Sequence, residues 1–400
     1  MYSYLRVLRR AYEQGRFKGD RTGTGCYSIF GDQIRHNMAD GFPLVTTRQL
    51  RIGAIVKELL WFINGDTNIN DPSMGGCKIW DHWALKSDTY EVKHMSLDEL
   101  MHECAQKGKV TLPEVVNYYR AMYALESLTN TPDVALQKTR VAMANRFEVD
   151  DSPRQVLVGK AGSIGPMYGK QWRDFEGVDQ LKEAINLLRV DPNSRRNVVS
   201  AWNPKYLPDP SKSIEDNILD GKMALAPCHA LFQFCAMPLS DQERFALLAE
   251  RAPVMSGLVE GLFDRHGDVK DPASHAYQQA IEALDLHKIP GHILSLQLYQ
   301  RSADLPVGVC FNIASYALLL ILVANELNMA LGDYVHSFGD AHIYSNQLTG
   351  VKEQLSRTPG RLPRIKLHCP VGKSIFDIEV SDIELVGYDP QPAIDYPIAI

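Results

Sequence analysis

The run IASYALLLILVA, residues 313–324, is the stretch that most constrains what this chain can become. It is too short to cross a hydrocarbon core about 30 Å thick, which needs about 20 apolar residues in helical form. Asn325 and Glu326 follow it directly. The run therefore predicts a helix buried in a protein core, and a helix that is apolar all round needs partners on every side. The chain has 400 residues, 45% of them hydrophobic, enough for one large core with insertions or for two domains.

The charge balance, 42 basic against 48 acidic residues for a net charge of -6, gives no general electrostatic reason to bind nucleic acid or a membrane. The cysteines at 26, 77, 104, 228, 235, 310 and 369 are odd in number and form no CxxC pair. That pattern argues for reduced thiols and against a disulfide framework or a metal site. The opening MYSYLRVLRRAYEQG has helical periodicity and no apolar core of a signal peptide. The expectation is a soluble cytoplasmic protein, or one in a host cytoplasm if the source is viral.

Along the chain, 25–38 alternates as a strand or hairpin and 51–65 forms a helix stopped at Asn64-Gly65. Residues 84–163 are polar and helical in pattern, and 238–289 form a second such insert. Strands are predicted at NVVSAWNP, HALFQFCAM and GHILSLQLYQRSAD, and in the C-terminal LPRIKLHC and IFDIEVSDIELVGYD. The fold class is α+β: a mixed or antiparallel sheet with packed helices, one catalytic domain spanning 1–400 with helical insertions at about 84–163 and 238–289.

MALAPCHALFQFCAM, 223–237, reads as a strand buried on both faces, where cysteine is usually inert filler. Other clusters bear on that reading of Cys228. DRTGTG (20–25) is a loop suited to an anion, or a plain solvated turn. DPNSRR (191–196) places two arginines after a turn, able to grip a phosphate or to sit in solvent. QRSAD (300–304) ends a strand with Arg301 and Ser302, good phosphate ligands, and with Asp304, which can accept from a heterocyclic N–H. FGDAHIYSN (338–346) puts His342 and Tyr344 on one strand face, suited to a sugar hydroxyl or to core hydrogen bonding. Trp80 and Trp83, three apart on a helix, can wall a flat cofactor or simply pack. Glu58, inside VKELLWF, needs an ion-pair partner, a water network or a catalytic task. Together these residues describe a nucleotide monophosphate site around a thiol nucleophile, whose thiolate nearby arginines favour.

The same segments resemble those of the thymidylate synthase family. DRTGTGCYSIFGDQIRHNMADGFPLVTT, ELLWFINGDTNI, IWDHWA, GPMYGKQWR, SRRNVVSAWNP, ALAPCHALFQF, YQRSADLPVGVCFNIASYALL, GDAHIYSNQ and the terminal YPIAI are similar to family segments and in the family's order. They cover nearly all of 1–83, 164–237 and 291–400. The resemblance implies that Cys228 adds to C6 of dUMP. It implies that Arg21, Gln300, Arg301 and Ser302 bind substrate, with Arg195 and Arg196 reaching the phosphate from the partner subunit of a homodimer. Asn312 would read the uracil edge, and His342 and Tyr344 the 3′-hydroxyl. Glu58, Tyr168, His229 and Asp304 would join the catalytic machinery. Ile79, Trp80, Trp83, Asp304, Gly308 and Phe311 would line the site for the co-substrate 5,10-methylenetetrahydrofolate, and Ile400 would close it.

The sequence departs from the family pattern at Val307, Val309 and Cys310, in RQLRIGA after Thr47, and in NDPSMGGCK before Ile79. Two alternatives stay open. A deoxyuridylate hydroxymethylase would use the same first steps and let water reach the exocyclic methylene. A silent nucleotide-binding regulator would bind without turnover.

Overall fold

The structure, a computed structural model, describes residues 1–20, 23–264 and 269–398. Two compact units are present, Met1–Ala84 with Ser163–Ile400, and Leu85–Gly162.

The larger unit begins with α1 (Tyr2–Gln14), which buries Tyr4, Val7, Leu8 and Ala11, the one-sided spacing of an amphipathic helix. The short β1 (Arg16–Lys18) and the long β2 (Cys26–Asn37) follow. Then comes α2 (Ile52–Asn64), whose buried stripe runs from Ile55 to Ile63. Gly65 stops it in the left-handed region at φ 83, donating its N–H to the carbonyls of Phe62 and Trp61.

The smaller unit consists of β3 (Thr89–Lys93), α3 (Leu97–Gly108), α4 (Leu112–Ser127), α5 (Pro132–Phe147) and β4 (Arg154–Gly159). Its helices enclose Leu100, Cys104, Val115, Met143 and Val149. Ser96 and Glu99 cap α3 reciprocally. Helices were expected here, but β3 and β4 were not. They pair antiparallel and join the two ends of the segment.

The larger unit resumes with α6 (Gly169–Arg173), α7 (Gln180–Val190), β5 (Val198–Ser200), α8 (Ile214–Leu219) and β6 (His229–Pro238). Next are α9 (Asp241–Arg251), α10 (Ser256–Gly261) and α11 (His275–Leu286), gathered round Phe245, Leu248, Leu284 and Ile289. The chain ends with β7 (His292–Asp304), α12 (Gly308–Glu326), β8 (Ala330–Tyr344), α13 (Leu348–Ser356), β9 (Arg364–Leu367) and β10 (Ile383–Val386).

Among the described residues the main sheet runs β1-β2-β8-β7-β6-β5. It is mixed: β7 and β8 are parallel and the other neighbours antiparallel. The parallel pair needs a crossover, and α12 is that crossover. The apolar run of 313–324 lies inside it, and its side chains from Ile313 to Leu320 are buried. This helix is long and apolar enough to cross a membrane, but 83% of its apolar window is enclosed by the protein.

Two local readings change. Residues 223–228 are not strand; β6 starts at His229. Nor is β6 buried on both faces. Phe232 and Phe234 point into the core, whereas Leu231, Cys235 and Met237 lie exposed on the opposite face. The register continues that second face through Val198 and Tyr299, 41% and 38% exposed. Also, Trp80 and Trp83 do not ride a helix. They sit on a turn closed by Trp83 N–H donating to the Trp80 carbonyl at 3.0 Å.

Candidate active site

Cys228 is the last residue before β6, and Arg301, on the adjacent β7, holds it there. The Arg301 backbone N–H donates to the Cys228 carbonyl at 2.9 Å. Its Nε donates to the Pro227 carbonyl at 2.8 Å and its Nη2 to the Ala226 carbonyl at 2.7 Å. The guanidinium also lies 5.2 Å from the centroid of the Trp202 ring. The loop that presents the thiol is thus built on one arginine, with Nη1 left to meet an anion. The expected favouring of the thiolate is corrected. Cys228 keeps some surface open, yet its surroundings are desolvating enough to raise the thiol; Arg301 pulls the other way and loses.

Tyr168 stands at φ 23, ψ -84, just ahead of α6, a conformation most side chains avoid. Its hydroxyl accepts from the Cys228 N–H at 2.9 Å. Its ring stacks on His229 at 4.7 Å and borders Phe62 and Trp80 at 5.0 and 5.8 Å. Burial holds the phenol well above its ordinary range, so it stays protonated.

Glu58 answers the question its setting raised. Its partner is not a cation but the Trp80 indole, whose Nε1 donates to Oε1 at 2.8 Å. Burial pushes the carboxyl up to about 7, against the opposing pull of that bond. A carboxyl near neutrality can give or take a proton. His229 is pushed down to about 3 by burial and so is neutral; it hydrogen-bonds Asn312, in the first turns of α12, and its Nδ1 is unpartnered.

Asp304 ends β7. Its carboxylate accepts from the Val307 N–H at 3.2 Å and from the Gln347 Nε2 at 3.3 Å. In the parallel register it faces His342. His342 Nδ1 lies 3.0 Å from Asp340 Oδ1, and its ring meets Tyr344 edge-on at 5.1 Å. Burial pushes Tyr344 up to about 12. Ser302 is half-buried opposite Asp340. Trp83 packs on Trp80 at 5.8 Å, with Ile79 half-buried alongside in sequence. Gly308 and Phe311, both half-buried, share the start of α12 with Asn312.

Gln300 lies at the site, opposite His229 in the register of β6 and β7. It is buried with both ends of its amide engaged: His336 lies 2.9 Å from Oε1, and Nε2 donates to the Ser302 carbonyl at 3.0 Å. Arg195 and Arg196 are exposed on the turn between α7 and β5, where Gln233 donates to the Arg195 carbonyl at 3.1 Å. Arg21 and Ile400 lie outside the described residues. Sequence reasoning missed Gln347, Tyr396 and the buried Arg48. Arg48 sits in the segment that departs from the family pattern; its Nη2 donates to the Pro306 carbonyl and its guanidinium lies 5.1 Å from the Tyr396 ring centroid. Among the described residues no cluster of His, Cys, Asp or Glu could hold a metal.

This is a buried thiol, a guanidinium, a neutral histidine, a carboxyl near neutrality and an aromatic wall, on a mixed sheet crossed by one apolar helix. A family model described as thymidylate synthase matches residues 2–252 and 271–400. Thymidylate synthases of Listeria monocytogenes serotype 4b and Listeria innocua serovar 6a are each 36% identical, over 409 and 405 aligned residues that cover 100% of this chain and of theirs. The chain belongs to the thymidylate synthase family. That family consists of folate-dependent methyltransferases acting on dUMP, with methylenetetrahydrofolate as co-substrate.

Proposed function

We propose that this chain converts dUMP to dTMP, taking both the carbon and the hydride from 5,10-methylenetetrahydrofolate. The observation that supports this best is Cys228 seated on Arg301, with Tyr168 and His229 stacked beside it. C5 of uracil is a poor nucleophile. Sulfur adding at C6 makes C5 enolate-like and places charge on O4, which Asn312 stabilises by a hydrogen bond. C5 then attacks the methylene of the folate. Loss of the C5 proton to a base or ordered water near Tyr168 breaks the methylene–nitrogen bond, so tetrahydrofolate leaves and an exocyclic methylene remains on C5; that tetrahydrofolate delivers hydride to the methylene, and the sulfur leaves C6 as thiolate. Because burial keeps the thiol protonated at rest, its proton must leave on nucleotide binding; Glu58, with its carboxyl near neutrality, is suited to such transfers.

Arg301 and Ser302, with Arg21 and the partner subunit's two arginines, bind the phosphate. His342 and Tyr344 take the 3′-hydroxyl. Ile79, Trp80, Trp83, Asp304, Gly308 and Phe311 receive the folate, and Ile400 closes over it. Gln300 serves by fixing Ser302. The homodimer is supported by the uncovered sheet face of Leu231, Met237, Val198 and Tyr299, a row of apolar side chains that a second copy would bury. Arg195 and Arg196 project from beside that face.

The test is incubation with dUMP and methylenetetrahydrofolate, following the near-ultraviolet rise of dihydrofolate and weighing the nucleotide product. The expected result is the rise together with a methylated nucleotide. A hydroxymethylated nucleotide with tetrahydrofolate and no rise would instead make it a hydroxymethylase. Nucleotide binding without turnover would make it a silent binder.

A further inference from the structure

Gln347 lies three residues beyond Tyr344, outside the residues assigned above, and is buried. Its one amide joins three separate parts of the larger unit. Oε1 accepts from the Tyr344 N–H at 3.0 Å, at the end of β8. Nε2 donates to Asp304 Oδ2 at 3.3 Å, at the end of β7. The same Nε2 donates to the Pro397 carbonyl at 3.1 Å, in the C-terminal segment. That segment forms no helix or strand between 387 and 398; the Gln391 N–H donates to the Thr46 carbonyl at 2.9 Å, and several side chains hold it besides. Tyr396 donates to Gln354 at 2.7 Å, Gln354 donates to Thr47 at 3.1 Å, and Arg357 donates to the Pro392 carbonyl at 2.6 Å. Those three bonds lead away to α13 and the 41–51 segment. Among the described residues, Gln347 is the one whose side chain hydrogen-bonds both this segment and a carboxylate of the site.

The geometry points to Gln347 as a positioning residue: a clasp that sets the Asp304 carboxylate and the segment around Pro397 in one arrangement, so that folate is received only when both are in place. A primary amide suits this, because it offers two donors and an acceptor in one plane. A carboxyl, an alcohol or an apolar side chain of similar size would lose at least one donor. The kinetic part of the inference rests on the reaction proposed above; the structural part does not.

The clasp also acts on the charge of Asp304. Burial raises that carboxyl, and the groups facing it are His342 and Tyr344 from β8, Arg48 from the 41–51 segment, Cys228 from the start of β6, and the donors Val307 N–H and Gln347. Of these, His342, Val307, Gln347 and Arg48 favour the ionised form. Removing Gln347 takes away one of them, so Asp304 would ionise at higher pH.

The variants are Gln347→Met, which keeps the length and loses every hydrogen bond, and Gln347→Glu, which keeps the acceptor and loses both donors. For each, dUMP affinity is measured by equilibrium dialysis and amide exchange is followed over 391–398. The pH profile of kcat/KM for folate completes the set. Both variants are expected to bind dUMP within about twofold of the native chain, since the clasp touches no group assigned to the nucleotide phosphate or base and meets Tyr344, assigned to the 3′-hydroxyl, at its backbone N–H and not at its phenol. Exchange over 391–398 should quicken, kcat/KM for folate should fall about tenfold or more, and the acidic limb should move to higher pH. Unchanged exchange and an unmoved limb, with dUMP binding intact, would overturn the clasp. If the native chain makes no dTMP, the reaction fails, and the exchange and binding measurements still decide whether Gln347 holds the segment. A variant that lost dUMP binding as well would refute a local clasp in favour of a general role in folding.

Discussion

A buried carboxyl that pairs with an indole has a pH signature, and Glu58 is such a group. Its carboxyl lies at about 7 in the fold against 4.5 when unperturbed, so between those values the folded chain holds a proton that the unfolded chain has released. Stability from this residue is complete below about 4.5 and is lost as pH rises through about 7. The whole effect amounts to about 3 kcal/mol, at 1.36 kcal/mol per pKa unit. Glu58→Gln should remove it: in urea melts at a series of pH values, the variant should gain on the native chain as pH rises through that window. Parallel curves would mean that Glu58 is not held near neutrality. At this scale, residue types in dense clusters were readable, because chemistry restricts which side chains can meet a phosphate or a thiol. What was not readable was the sum of opposing forces. Of the arginines that the sequence groups with Cys228, Arg301 is the one that the described residues place beside it, and burial outweighs it.

Two glycines at the ends of α2 behave oppositely. Gly65 adopts φ 83, and an added Cβ would sit 3.0 Å from Arg173 Cβ, whose guanidinium donates to the Ile63 carbonyl at 2.6 Å. Gly53 lies in the first turn with nothing within 4 Å of such a Cβ. Gly65→Ala should therefore lower stability by about 1–2 kcal/mol, whereas Gly53→Ala should leave it unchanged or raise it by a few tenths. Thermal midpoints of the two variants check this, and equal losses would contradict it. Elements with strong periodicity, such as α1, α2 and α12, could be read from their spacing, since burial of one stripe or of a whole surface writes itself into the residue order. The edges could not. β6 looked buried on both faces because Leu231, Cys235 and Met237 are apolar, yet all three are exposed among the described residues. The pair β3 and β4 is separated by three helices, and a pairing over that distance leaves only two short alternating runs.

For the whole molecule, the uncovered sheet face and the site make one account. The same face that exposes Leu231 and Tyr299 carries, at its edge, the turn that exposes Arg195 and Arg196. A homodimer would bury the first and deliver the second to its partner's Cys228. The measurement that tests this most directly is dihydrofolate formation by Cys228→Ser, by the Arg195→Ala, Arg196→Ala double variant, and by the two mixed after reversible unfolding. The account predicts that each alone falls by about a thousandfold or more, with dUMP still bound by the serine variant. It also predicts that the mixture recovers about a quarter of native activity, from the one intact site in each mixed dimer. Native-like turnover by Cys228→Ser alone would contradict the sulfur's role, and a mixture as inactive as its components would contradict the shared site.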